Sequence, residues 1–220
     1  MNNIIKLKIN KKNFKNKEYA ILQNFSLEVS EGETVAIVGE SGVGKTSLLN
    51  ILGLIDNKYQ GDYHLFNTNV KNLNEKQLAQ WRNKRIGFVL QEAALINSLS
   101  IEDNIKLPLL YANLEKHINK NDYFDYVVSK IGIGAILNKK PLECSGGQRS
   151  RAVLARAIIM QPQIILSDEP TSSLDDQNKA HIMDLLFELN KNNNATLITV
   201  THEPNIAHCH QRMIQLERSE

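Results

Sequence analysis

Cysteine is nearly missing from this chain of 220 residues: Cys144 and Cys209 are its only two. Two thiols close at most one bridge, so a disulfide framework is excluded and a reducing compartment is expected. Long apolar runs are missing too. No stretch approaches 18 consecutive apolar residues, and MNNIIKLKINKK lacks the apolar centre of a secretory leader, so neither a membrane span nor export by that route is expected. Any membrane role would then pass through a partner. Charge of one sign is also in short supply: 26 Lys and Arg against 24 Asp and Glu leave +2, which gives no global reason to bind nucleic acid. Internal repeats and low-complexity blocks are absent, apart from asparagine enrichment such as Asn192 to Asn194.

What is present is ordinary for a soluble globular protein, with 42% hydrophobic and 23% charged residues, enough to bury a sizeable core. Lys6, Lys8, Lys11, Lys12, Lys15 and Lys17 form a local basic run, read as a solvated edge. His202, His208 and His210 stand near Cys209, but adjacent residues point in different directions, so His208, Cys209 and His210 are not expected to converge on a metal.

IIKLKI (4–9) and FSLEV (25–29) predict strands, the second ending in the turn of Ser30, Glu31 and Gly32, an antiparallel preamble. TVAIV (34–38) predicts a buried strand, the apolar residues after Thr46 a helix, DYHLF (62–66) a short strand, Asn74 to Asn83 a helix and IGFVL (86–90) a strand leading into Gln91. From Glu92 to Glu143 the pattern turns helical. Tyr123, Phe124, Val127, Val128 and Ile131 make a stripe, with Asn121 as a candidate cap. Together with the helix after Ser145, this predicts a helical subdomain over about residues 92–160 inserted into the core. QIILSDEP (163–170) and ATLITV (195–200) restore buried strands around a helix carrying Ile182, Leu185, Leu186 and Leu189. Alternation of strand and helix implies a mostly parallel sheet in a single α/β domain. RMIQLE near the end leaves no room for a regulatory domain beyond it.

The richest segment is GESGVGKT (39–46), which matches G-x-x-x-x-G-K-[ST] at Gly39, Gly44, Lys45 and Thr46, between a strand and a helix. Its glycines let successive backbone N–H groups converge on one anion while the helix points its positive end at the same place. Lys45 adds a point charge for the β- and γ-phosphates, and the Thr46 hydroxyl offers a hard oxygen to Mg²⁺. Asp168 and Glu169 end an apolar strand, where open α/β sheets bind ligands. Asp168 suits the outer partner of the Mg²⁺, and Glu169 the group that polarises attacking water. Gln91 and His202 follow two other strands and fall on the same rim. CSGGQ (144–148) opens another helix: Ser145 can cap it while Gly146 and Gly147 expose its first N–H groups, making a second anion site. One phosphate-binding lysine with two anion-binding helix starts suggests that the second serves a nucleotide held by another copy.

In this order the motifs resemble those of the nucleotide-binding subunit of ABC transporters, over essentially the whole chain. The chain looks like that family in its Walker A loop (Gly39 to Thr46), Q-loop (Gln91), signature (Ser145 to Gln148), Walker B (Ile164 to Asp168, then Glu169), D-loop (Ser173, Leu174, Asp175) and switch histidine (His202). The resemblance implies a P-loop NTPase core with a mostly parallel sheet, an antiparallel β preamble and an inserted α-helical subdomain. It implies ATP and Mg²⁺, gripped by Gly39, Glu40, Ser41, Gly42, Val43, Gly44, Lys45, Thr46 and Ser47, with Ser145, Gly146, Gly147, Gln148 and Asp175 reaching the nucleotide of a second copy. Thr46, Gln91 and Asp168 would serve the metal, and Glu169, His202 and Gln91 the hydrolysis. An aromatic residue would stack on adenine: Phe14, or Tyr19 in its place. A transmembrane permease would enter the groove around Gln91, which places the subunit on the cytoplasmic face of the membrane.

LQNFSLEVSEGETVAIVGESGVGKTSLLNILGLID, GFVLQEAALINSLSIEDNIKLPLL and LSDEPTSSLD are most similar to the branch with lipoprotein-release, macrolide-export and FtsE-like ATPases. Its members work on cargo from outside the bilayer. The signature departs from the family in having Cys144 where leucine is common; a cysteine at a helix start is expected to react readily, so that alkylation inhibits and Cys144→Leu removes the sensitivity. Asn119, Lys120, Asn121 and Asp122 spell the guanine-reading NKxD, but no apolar strand precedes them and Glu-Pro-Thr follows Asp168, so a GTPase is set aside. The alternatives left open are a soluble assembly ATPase of the iron-sulfur scaffold kind and a cell-division type without transport.

Overall fold

The computed structural model describes residues 3–13, 20–90, 95–112, 120–171 and 174–218. Two sheets share the work. Strands β1 (Asn3–Asn13) and β2 (Ala20–Ser30) pair antiparallel. The parallel sheet begins with β3 (Thr34–Val38), followed by helix α1 (Lys45–Leu52). β4 (Gln60–Leu65) and the two-residue β5 (Thr68–Asn69) complete the antiparallel sheet in the order β2-β1-β4-β5. Helix α2 (Glu75–Arg85) leads into β6 (Ile86–Val89), and three helices in a row follow: α3 (Ile101–Leu110), α4 (Lys120–Ile131) and α5 (Gly146–Ile158). Strand then alternates with helix through β7 (Ile164–Asp168), α6 (Asp176–Asn193), β8 (Thr196–Val200), α7 (Pro204–His208) and β9 (Arg212–Gln215). The parallel sheet has the order β6-β7-β8-β3-β9.

Residues of β7 and β8 are buried throughout, because both faces of the parallel sheet are covered. The pleat sorts their side chains into two cores. Ile165 and Leu197 join the helices on one side, with Ile105, Val127, Leu154 and Leu186. Ile164, Leu166, Ile198 and Val200 join α1 and the antiparallel sheet on the other, with Leu48, Ile51, Ile5 and Tyr63. Each large aliphatic side chain buried in this way stabilises by about 1.5–3 kcal/mol. Tyr63 is fully buried and its hydroxyl donates to the Leu52 carbonyl at 2.9 Å.

Three expectations need correction. The preamble strands run to 11 residues each, well past the apolar cores that announced them, because β1 is paired on both edges. Lys12 is not part of a solvated edge: an irregularity between Ile9 and Lys11 in the pairing with β4 shifts the pleat, and Lys12 turns inward at 7% exposure. Its ammonium is held by Asp56 Oδ2 at 2.5 Å and the Lys58 carbonyl at 2.8 Å. Lys6, Lys8 and Lys11 are exposed, while Lys15 and Lys17 lie outside the described residues. Asn121 is not a cap, since α4 begins at Lys120 and already contains it.

Candidate active site

β3 delivers the chain to residues 39–44, and α1 leaves from them. Gly44 stands before the helix at φ +110°, a conformation that side chains resist. Val43 is buried in the core and anchors the loop, whereas Glu40, Ser41 and Gly42 are exposed and Gly39 and Ser47 half-buried. Lys45 folds back over the loop, its Nζ donating to the carbonyls of Gly39 at 2.7 Å and Glu40 at 2.8 Å. The Thr46 hydroxyl donates to Asp168 Oδ2 at 3.0 Å, joining the first turn of α1 to the end of β7. Burial pushes the Asp168 carboxyl up, against the lowering effect of the Thr46 hydrogen bond.

Glu169 follows at 9% exposure with φ +47°, its N–H donating to the Val200 carbonyl at 3.0 Å. One carboxylate oxygen, Oε1, lies 2.8 Å from His202 Nδ1; the other is buried and has no hydrogen-bond partner among the described residues. His202 itself is largely exposed. The loop after β3 and the ends of β7 and β8 therefore meet on one rim, as the strand-end positions predicted. Such a rim has backbone N–H groups and an ammonium for phosphate, two oxygen ligands for a hard cation, and a carboxylate paired with a histidine for water.

At the signature, Ser145 caps α5: its Oγ accepts from Gln148 N–H at 3.2 Å, and Gln148 Oε1 accepts from Ser145 N–H at 2.9 Å. Gly146 and Gly147 form the helix start. Among the described residues no hydrogen bond joins Ser145–Gln148 to residues 39–47 or to Asp168 and Glu169. Cys144 departs from the reactive thiol expected of it. It is 6% exposed, its Sγ donates to the Lys140 carbonyl at 3.5 Å, and it belongs to the helical core, because Ser145 and not Cys144 occupies the cap. Asp175 caps α6, Oδ1 accepting from Asn178 N–H at 3.0 Å and Oδ2 from Asn178 Nδ2 at 2.6 Å. These hydrogen bonds hold its carboxyl below the usual range.

Phe14, Tyr19, Gln91 and Ser173 lie outside the described residues. Glu203, which holds Thr171 and Lys179, belongs to no sequence motif, and His210, set aside above as a metal ligand, is buried between α7 and β8. Their position just after a strand end and at the foot of a short helix is the only signal the sequence carried.

The model of the ABC transporter family matches residues 22–172. The ABC transporter ATP-binding protein YxdL of Bacillus subtilis (strain 168) is 39% identical over 223 aligned positions, covering 100% of this chain and 86% of the relative. The bacitracin export ATP-binding protein BceA of Halalkalibacterium halodurans is 40% identical over 194 positions, 88% of this chain and 76% of that one. The dimeric ATP-binding cassette MJ0796, in a post-hydrolysis state bound to ADP and Pi, superposes with a TM-score of 0.88 at 35% identity, over 97% of this chain and 94% of its own. With the phosphate loop, the strand-end carboxylates and the capped signature helix in the family's order, the chain belongs to the ABC transporter family as one of its ATP-hydrolysing cassettes.

Proposed function

We propose that two copies of this chain clamp ATP between them and pass the resulting stroke to a membrane permease, in export, extrusion or lipoprotein-release work. The observation that carries this reading is the convergence of the Thr46–Asp168 and Glu169–His202 contacts, at 3.0 and 2.8 Å, on the rim of the phosphate loop. In the closed pair, residues 39–47 hold the triphosphate of one copy while Ser145, Gly146, Gly147, Gln148 and Asp175 close over it from the other. Phe14, or Tyr19, stacks on the adenine. Two copies explain why the chain has two anion-binding helix starts and one phosphate lysine.

The site residues suit Mg²⁺. Octahedral coordination at about 2.1 Å sets neighbouring ligand oxygens about 3 Å apart, close to the Thr46–Asp168 separation of 3.0 Å. Thr46 and Asp168, with Gln91, would hold the ion, which would neutralise phosphate charge when bound. Lys45 exchanges the Gly39 and Glu40 carbonyls for phosphate oxygens. Glu169 accepts the proton of the attacking water, and His202 fixes its carboxylate through Nδ1 and supports the γ-phosphate.

We further read residues 92–160 as a helical subdomain that moves with the signature. A cleft lined by Ile55, Ala79, Asn83, Phe88 and Tyr111 borders β6, the strand that leads to Gln91, and fits a permease helix. Ile55 and Tyr111 are 57% and 76% exposed there, an apolar surface that a partner would cover. The family similarity to an exporter cassette supports the direction of work, and a peripheral place on the cytoplasmic face follows from it.

The test is Glu169→Gln. The variant should bind ATP without turnover and elute as an ATP-dependent dimer on size exclusion. Hydrolysis at the wild-type rate would remove Glu169 from the role of base.

A further inference from the structure

Glu203 directly follows His202 and belongs to none of the motifs described above. It stands at the cap position of α7, where a carboxylate ordinarily accepts from the amides of its own helix, yet its side chain makes no such bond. It reaches elsewhere. Oε1 accepts from the Thr171 hydroxyl at 3.1 Å and Oε2 from Lys179 Nζ at 2.8 Å, while its backbone N–H donates to Thr201 Oγ1 at 3.0 Å. Thr171 and Thr201 are fully buried, so two of these three anchors are fixed by the core.

The partners of that carboxylate lie on either side of Leu174 and Asp175. The Thr171 carbonyl accepts from Leu174 N–H at 3.0 Å, and the Asp175 carbonyl accepts from Lys179 N–H at 2.9 Å. One carboxylate thus grips both ends of the stretch 171–179, and it is one peptide away from the histidine that lies 2.8 Å from Glu169. The Lys179 hydrogen bond, first among its causes, holds the Glu203 carboxyl below the usual range.

We propose that Glu203 is a positioning residue for ATP hydrolysis, tying the stretch that carries Asp175 to the loop that carries His202, so that seating the one sets the other against Glu169. This rests on the catalytic reading of Glu169 and His202 given above. A carboxylate in this place does not touch the reacting atoms; it makes the approach of Asp175 to a second copy and the placement of His202 one event.

The experiment compares Glu203→Ala, Glu203→Gln and Lys179→Met with the parent protein. Glu203→Ala should lower kcat by about tenfold while KM for ATP stays within about twofold. Glu203→Gln, which keeps an acceptor for Thr171, should recover part of the loss. Lys179→Met should cost less when added to Glu203→Ala than when made in the parent protein. The imidazole NMR signals of His202 should move in Glu203→Ala while those of buried His210 stay, which separates misplacement from general loosening. An unchanged kcat in Glu203→Ala, unmoved His202 signals, or a joint shift of the His202 and His210 signals would overturn the proposal. Should Glu203→Ala not fold, Glu203→Gln and Lys179→Met carry the same comparison. Glu169→Gln and His202→Ala are measured alongside: if they hydrolyse at the parent rate the catalytic reading fails, and if they are inert while the Glu203 variants are not, this proposal alone fails.

Discussion

A thiol reagent meets the two cysteines in opposite settings. Cys209 is exposed near the end of α7, and Cys144 is packed in the helical core. Reactivity needs access as well as thiolate, so limiting iodoacetamide should label Cys209 at least about ten times faster, read by peptide mass spectrometry. Cys209→Ser should leave only a slow phase, and any loss of ATPase should follow that phase; equal labelling of the two would contradict the burial of Cys144. His210 supplies a second test. Its Nδ1–H donates to the Ile206 carbonyl and its Nε2 accepts from Thr199, both at 2.9 Å, and burial pushes its pKa below 6.5. The folded chain therefore binds fewer protons here than the unfolded one, and the stability due to this group is present above pH 6.5 and lost as the pH falls below it. Urea midpoints measured across that range should fall with acid, and His210→Gln should flatten the slope. The places of Lys45, Thr46, Asp168 and Glu169 were legible in the sequence because their spacing beside strands sets them on the rim. Glu203, His210 and Lys12 were not, because their partners Lys179, Thr199 and Asp56 become neighbours only through the fold.

Two helix starts were legible, at Asn74 and Ser145, since a cap is settled between a few adjacent residues: Asn74 with Gln77 and Ser145 with Gln148 both close reciprocal boxes, whereas α4 starts ahead of Asn121. Strand ends were less so. β1 and β2 continue beyond their apolar alternation through pairings that no single segment announces, and a shift of register turns Lys12 inward. β4 shows how tight that pairing is. Gly61 sits at φ +145°, and a Cβ there would lie 2.0 Å from the Lys8 carbonyl oxygen. Gly61→Ala should therefore destabilise by about 2 kcal/mol, lowering Tm by roughly 4–8 °C in thermal unfolding. KM for ATP should hold, because this contact lies in the antiparallel sheet and not on the rim of the parallel one.

At the scale of the molecule, the parallel sheet gathers residues from distant parts of the chain at one edge: Gly39 after β3, Glu169 after β7 and His202 after β8. The signature helix α5 opens on a different element, and the second copy proposed above would bring it to the rim. Turnover per chain should thus rise with protein concentration and fall on dilution below the range where self-association is measurable. A specific activity that stays constant through such a dilution series would mean that one copy suffices. The class of fold was readable from alternating strands and helices, whereas the division into two cores was not, because it depends on which face each strand residue takes.

The backbone at Glu169 stands in the left-handed region, which costs a residue with a side chain about 1 kcal/mol that glycine would not incur. Leu54, Phe66 and Gln161 stand in the same region without a proposed role in hydrolysis, so the conformation alone assigns no chemistry. Under the role proposed for Glu169, Glu169→Gly should give a sturdier molecule that no longer turns over ATP.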